Sequence, residues 1–231
     1  MWMPLDVNYS PQYEIGYVFQ ETIICMSALM YYGVDSVAIS MVIFACAQME
    51  IIMEKILSIE PRNNTALKNT ALKEHYLNGN KKLIECVKQH QAIVRFKELV
   101  ENTFHIYMFF QLTGTVGIVV MSAFRILVLE NDSLQLISTT IYVTVMVSQI
   151  YVCCWSGHDL TATSEKLHTV LYTSLWYEQD VKFQRDLCFT MARIERPLVL
   201  RAGHYISLSR QTFVAILRMS YSYIAVLNQT M

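Results

Sequence analysis

The chain has 231 residues, 54% of them hydrophobic and only 16% charged, with a net charge of −1. Its mean hydropathy is +0.31, whereas soluble domains carry about 25% charged residues. This balance excludes a basic nucleic-acid binder, and seven Gly and four Pro leave room for long helices.

Charge-free stretches define the elements in chain order. Residues 1–14 hold no Lys or Arg and read as the end of an extracellular loop. Residues 15–49 are rich in Ile, Met, Val and Ala, interrupted by Glu21 and Asp35, and read as a membrane span. Residues 50–101 carry nine Lys and Arg and read as a cytoplasmic loop followed by an amphipathic helix. Within 102–128, Asn102 to Phe124 gives 23 residues without a charge. About 20 such residues cross a bilayer core, so this is a second span. Residues 129–134 form an extracellular turn, and 135–157 form a third span inside a charge-free run of 26 residues, Ser133 to His158. Residues 158–207 read as a cytoplasmic loop and anchor helix, and 208–231, broken only by Arg210 and Arg218, as a last span with an extracellular C-terminus. The sequons at Asn8 and Asn131 fall on the expected outer side and that at Asn63 on the inner side.

An even number of spans with both ends outside, and no signal peptide at Met1-Trp2-Met3-Pro4, is the pattern of a partial chain whose earlier spans are missing. The fold class expected is therefore all-α, a polytopic helical membrane protein with four of seven spans present.

Two cytoplasmic stretches carry helical stripes. In 80–101, Leu83, Cys86, Val87, His90, Ile93, Val94 and Val100 share a face, with Lys81, Glu85, Lys88, Gln91, Arg95 and Glu98 off it. In 181–200, Phe183, Leu187, Met191, Ile194 and Leu198 repeat at helical spacing, and Pro197 with Ala202-Gly203 marks a break. Asn78-Gly79-Asn80 and Pro61-Arg62-Asn63-Asn64 read as loops.

Nothing points to catalysis. Ser156-Gly157 lacks a nucleophile-elbow frame, and phosphate-loop, zinc-helix and dinucleotide motifs are absent. The six cysteines form no C-x-x-C pair and read as small apolar residues. No cofactor or metal is expected.

Several local patterns resemble insect odorant receptors, in the family's order and over nearly the whole chain. They are Pro4-Leu5-Asp6 with Tyr13-Glu14-Ile15, then Cys86-Val87-Lys88-Gln89-His90-Gln91-Ala92-Ile93, then Gly157, Leu160 and Ser164-Glu165-Lys166-Leu167. Leu175-Trp176-Tyr177, Arg196-Pro197-Leu198, Gly203 and the SYSYIAVL end (220–227) follow. The resemblance implies that the chain holds the family's spans four to seven and is a tuning subunit in the dendrite membrane of a sensory neuron. It implies a non-selective cation channel, gated by a small volatile odorant and assembled with the shared co-receptor as a hetero-tetramer, with the last span lining the pore. An insect gustatory receptor is the alternative, although Ser222-Tyr223 followed by Asn228-Gln229-Thr230 departs from that family's ending. A fragment of an unrelated transporter is a third reading, and only Asp35 would serve its ion site.

The family's pocket lies in the outer half of the bundle, walled by spans two, three, four and six. Here that region offers Met26, Leu29, Met30 and Gly33 from the first segment and Thr139, Tyr142, Val143 and Met146 from the third. Flexible Met beside an aromatic hydroxyl suits small volatile ligands. In the last span Met219, Ser222, Tyr223, Val226 and Gln229 share a face, opposite Ser220, Tyr221, Ala225 and Leu227. The resemblance puts a gate near the outer end. Val226 is then the apolar constriction, with Gln229 at the mouth and Ser222 below.

Overall fold

A computed structural model describes residues 12–59, 69–128 and 133–230. Five helices carry the fold. They are α1 (Gln12–Leu57), α2 (Asn69–Val128), α3 (Ser133–Thr173), α4 (Val181–Ile194) and α5 (Arg210–Thr230). A 3-10 turn, Trp176–Glu178, precedes α4. Two short antiparallel strands, β1 (Arg201–Ala202) and β2 (Ile206–Ser207), precede α5 and pair Arg201 with Ser207 and Ala202 with Ile206. The chain divides into two compact units, Met1–Ser40 and Met41–Met231.

In the first unit the helix is bare apolar surface: Met26, Leu29 and Met30 are all exposed. Asp35 is buried and engaged by a partner.

In the second unit the helices bundle through the stripes that the sequence carries. Leu83, Cys86, His90, Ile93 and Val100 of α2 are buried, while Lys81, Glu85, Lys88, Gln91, Arg95 and Glu98 are exposed. Met49 and Ile52 of α1, Leu160, Leu167 and Leu171 of α3 and Leu187 of α4 complete a fully buried core. Polar ties surround it. Lys55 Nζ donates to Glu85 Oε1 at 3.2 Å and to Gln89 Oε1 at 3.1 Å, and Gln89 donates onward to Gln48 at 2.9 Å. Cys46, Cys86, Cys153 and Cys154 are buried free thiols.

The loop expected at Asn78-Gly79-Asn80 is not there: α2 runs through it. Gly79 is buried, and a Cβ there would be in ordinary contact with Gln179 Oε1 at 3.8 Å and Ile59 Cγ2 at 3.9 Å. Tertiary packing there outweighs the weak helix propensity of Asn and Gly. The loop reading at Pro61–Asn64 and residues 129–132 of the turn expected at 129–134 lie outside the described residues, while Ser133 and Leu134 already belong to α3.

Among the described residues three helices are long and apolar enough to cross a membrane: Glu14–Leu57, Gly79–Ile126 and Ser133–Glu178. Only 11% of the most apolar window of the third is buried, so its apolar side chains face outward. Such a surface belongs in lipid or against another chain. Helix α5 mixes apolar residues with Arg210, Arg218 and the hydroxyls of Ser220, Tyr221, Ser222 and Tyr223.

Candidate ligand groove and terminal helix

Helices α2 and α3 leave a groove of about 540 Å³ between the end of one and the start of the other. Met121, Ser122, Phe124 and Arg125 line one wall, and Ser138, Thr139 and Tyr142 the other. Thr139 is buried and Tyr142 half-open, at 46% exposure. Ser138 Oγ donates back to Gln135 O at 3.0 Å, and Thr140 and Thr144 donate to carbonyls four residues earlier, each at 2.8 Å. Of these only Ser138 lines the groove, whose surface is mainly apolar, beside the Tyr142 ring and the Arg125 guanidinium. Of the residues singled out by sequence, Thr139 and Tyr142 lie in this groove, whereas Val143 and Met146 are half-buried and do not line it. Met26, Leu29, Met30 and Gly33 sit together on α1 in the other unit. Gly33 has nothing within 4 Å of a Cβ position.

At its other end α3 grips the approach to α5. Leu198 is clamped by two α3 hydroxyls: its N–H donates to Ser164 Oγ at 3.1 Å, and its carbonyl accepts from Thr161 Oγ1 at 3.2 Å. Ser164 is fully buried. Leu208, just before α5, donates its N–H to Leu200 O at 2.9 Å and is itself buried. Gly157 lies against it so closely that a Cβ there would meet Leu208 Cβ at 2.6 Å and Leu208 O at 2.8 Å. Ser209 then caps α5, accepting from the Thr212 N–H at 3.2 Å. The Arg210 guanidinium lies 3.8 Å above the Trp155 ring, and Tyr151 meets both Trp155 and Phe213.

The turn between the strands is held just as tightly by α2. Gly203, at φ +60°, donates its N–H to His105 O at 2.8 Å, and a Cβ on it would lie 2.8 Å from Phe109. His204 follows at φ +64°. Its ring stacks on His105 with centroids 4.1 Å apart, and its Nδ1 lies 3.6 Å from Glu101 Oε1. Glu101 is also paired with Lys97.

Along α5, Met219, Ser222, Tyr223 and Val226 are exposed, but so are Tyr221 and Ala225. Among the described side chains of α5 only Ser220 is buried, its Oγ donating to Ile216 O at 3.0 Å. The structure thus leaves both faces named by the sequence largely open. The side chain of Gln229 lies outside the described residues. Sequence reasoning missed the clamp: Thr161, Ser164 and Gly157 carry no local signal of a partner about forty residues away, and the pairing of strands two residues long leaves no periodic pattern.

A family model described as 7tm odorant receptor matches residues 1–221. The chain belongs to the odorant receptor family. That decides between the odorant-receptor, gustatory-receptor and transporter readings. Members of this family are receptors and not enzymes, and the chain is a multi-pass helical membrane protein. It is 30% identical to odorant receptor 2a of Drosophila melanogaster over 142 residues, 61% of this chain and 36% of that one. It is 23% identical to odorant receptor 10 of Aedes albopictus over 231 residues, 99% of this chain and 59% of that one. The fold superposes on the insect olfactory receptor OR5 from Machilis hrabei, solved in complex with eugenol, at a TM-score of 0.80 and 15% identity, covering 100% of this chain and 56% of that one. The chain therefore spans little more than half the length of these relatives at most.

Proposed function

We propose that the receptor containing this sequence is an odorant-gated, non-selective cation channel, in which this chain is a tuning subunit working with the shared co-receptor. The observation that carries the reading is the contact between Gly157 and Leu208. Helix α3 contributes to the ligand groove near Thr139 and abuts the entry to α5 at Gly157, about 27 Å further along at 1.5 Å per residue. A rigid helix of that length transmits a shift at one end to the other. The ligand is a small volatile molecule, and the eugenol complex of OR5 supports one that is mostly apolar with a polar tip.

In the second unit Thr139 and Tyr142 of the groove, with Val143 and Met146 further along α3, bind the ligand; in the first unit Met26, Leu29, Met30 and Gly33 are ligand-binding residues of α1. Ser222, Val226 and Gln229 form the pore face. The basic stretches 50–101 and 158–207 face the cytosol, and the C-terminus faces outward. The polar dilution of α5 supports this role, because a helix lining water on one side needs less apolar surface than one surrounded by lipid.

The test is whole-cell recording of a full-length receptor with the co-receptor. An odorant-evoked cation current that Tyr142→Ala shifts to higher odorant concentration supports the reading. Absence of odorant-evoked current across a chemically broad odorant panel, with surface expression verified, overturns it.

A further inference from the structure

Away from the groove and from α5, the charged half of α2 and the C-terminal end of α4 enclose a cleft of about 820 Å³. Three guanidiniums converge on it: Arg95 from α2, Arg193 from α4 and Arg196 from the segment after it. Glu98 is the carboxylate on its lining, and Val94 and Leu198 supply apolar floor. A smaller hollow of about 290 Å³, reaching Phe189, adjoins it through His90, Gln91 and Arg193.

Two lysines of the same bundle meet carboxylates, Lys55 with Glu85 and Lys97 with Glu101. Arg95, Arg193 and Arg196 are exposed and make no ion pair or hydrogen bond with any described residue. Three like charges held around one hollow repel one another, and one carboxylate leaves about two of them uncompensated. His90 beneath them adds no compensating charge. Burial, and then the nearby Arg193, hold its pKa below the usual histidine value of 6.5, so it stays neutral.

We propose that this cleft binds a phosphate-bearing anion, with Arg193 and Arg196 gripping the phosphate oxygens from one wall and Arg95 from the other. Guanidinium forks match phosphate geometry and form charge-assisted hydrogen bonds with it. A surplus of about two positive charges suits a phosphate monoester, which carries close to two negative charges at neutral pH. Arg95 precedes the charge-free stretch beginning at Asn102 by seven residues, about 10 Å along the helix. The cleft is therefore within reach of a phosphorylated lipid headgroup as well as of a soluble phosphate. The anion would cross-link α2 to α4 next to the Leu198 clamp, and so brace the segment that leads into α5.

The full chain in phosphatidylcholine nanodiscs tests this. Inositol hexakisphosphate is titrated in, with binding followed by calorimetry and by the imidazole NMR signal of His90. In a parallel arm the bilayer contains phosphatidylinositol bisphosphate instead. Saturable binding that shifts the His90 signal is expected, weakened about tenfold by Arg193→Gln or Arg196→Gln. Arg201→Gln, which removes an exposed charge outside the cleft, should leave it unchanged. Binding in the soluble arm alone, the lipid arm alone or both supports the site and identifies its source. Equal weakening by Arg201→Gln shows diffuse surface charge and overturns the proposal, as does no binding in either arm. Arginine variants that alter self-association but leave phosphate binding intact overturn it too, since the cleft then receives carboxylates of a second chain.

Discussion

A Cβ placed on Gly157 would lie 2.6 Å from the Cβ of Leu208 and 2.8 Å from its carbonyl oxygen. The second of these neighbours is backbone, so a rotamer change cannot relieve the clash. Gly157→Ala must push α3 away from the start of α5. Overpacking of this kind costs about 1–3 kcal/mol. A measurable fall in the melting temperature of the detergent-solubilised protein is expected. Gly114→Ala, where nothing lies within 4 Å, should leave it unchanged or slightly raised. Equal behaviour of the two variants would mean that α3 and Leu208 are not in contact.

The turn at Gly203 makes a related demand. Gly203→Ala meets both a positive φ and the Phe109 ring, and should cost about 1–2 kcal/mol through backbone strain alone. Adding Phe109→Ala removes the clash and leaves the strain, so it should recover the folded yield only in part. Complete recovery would show that the left-handed turn is not needed.

How much of this was legible in the sequence depends on how local the cause is. The stripe from Leu83 to Val100 and the buried Phe183, Leu187 and Ile194 of α4 follow from helical spacing, because a helix shows its apolar face in its own sequence. The break after α4 follows from Pro197. Asn78-Gly79-Asn80 misled, since turn residues inside a packed helix keep their turn composition. Gly157 and Ser164 were legible only as family-like residues. Their physical roles come from Leu208 and Leu198, which sequence spacing cannot bring to them. In the groove, Thr139 and Tyr142 face the wall that carries Arg125, a juxtaposition across two helices that no spacing rule reveals.

The Leu198 clamp gives a prediction of its own. Ser164→Ala leaves the half-buried Leu198 N–H without its acceptor, at a cost of about 1 kcal/mol. Hydrogen exchange at the Leu198 amide should accelerate at least tenfold, while amides in the middle of α2 keep their protection. Unchanged exchange at Leu198 would mean the amide is protected by another partner.

The packing of α2 against α4 should depend on pH through His90. Its pKa in the folded chain is held below 6.5, mainly by burial and also by Arg193. The unfolded chain therefore binds the proton more readily. The stability contributed by neutral His90 is fully present above about pH 6.5 and is lost as the pH falls toward the lower folded value. Melting temperatures across that window should decline on acidification, and His90→Gln should flatten the decline. A His90→Gln variant with the same acid sensitivity would place the titrating group elsewhere.

A pore lined by α5 and opened by odorant exposes one face of that helix to water, which cysteine accessibility reports. In the full-length receptor with its co-receptor, Val226→Cys should react with a small aqueous thiol reagent when odorant is present, and modification should change the current. Ala225→Cys, on the other side of the helix, should respond far less. If Val226→Cys is silent, or if both positions respond alike, α5 does not line the pore through this face and the account of the channel is wrong.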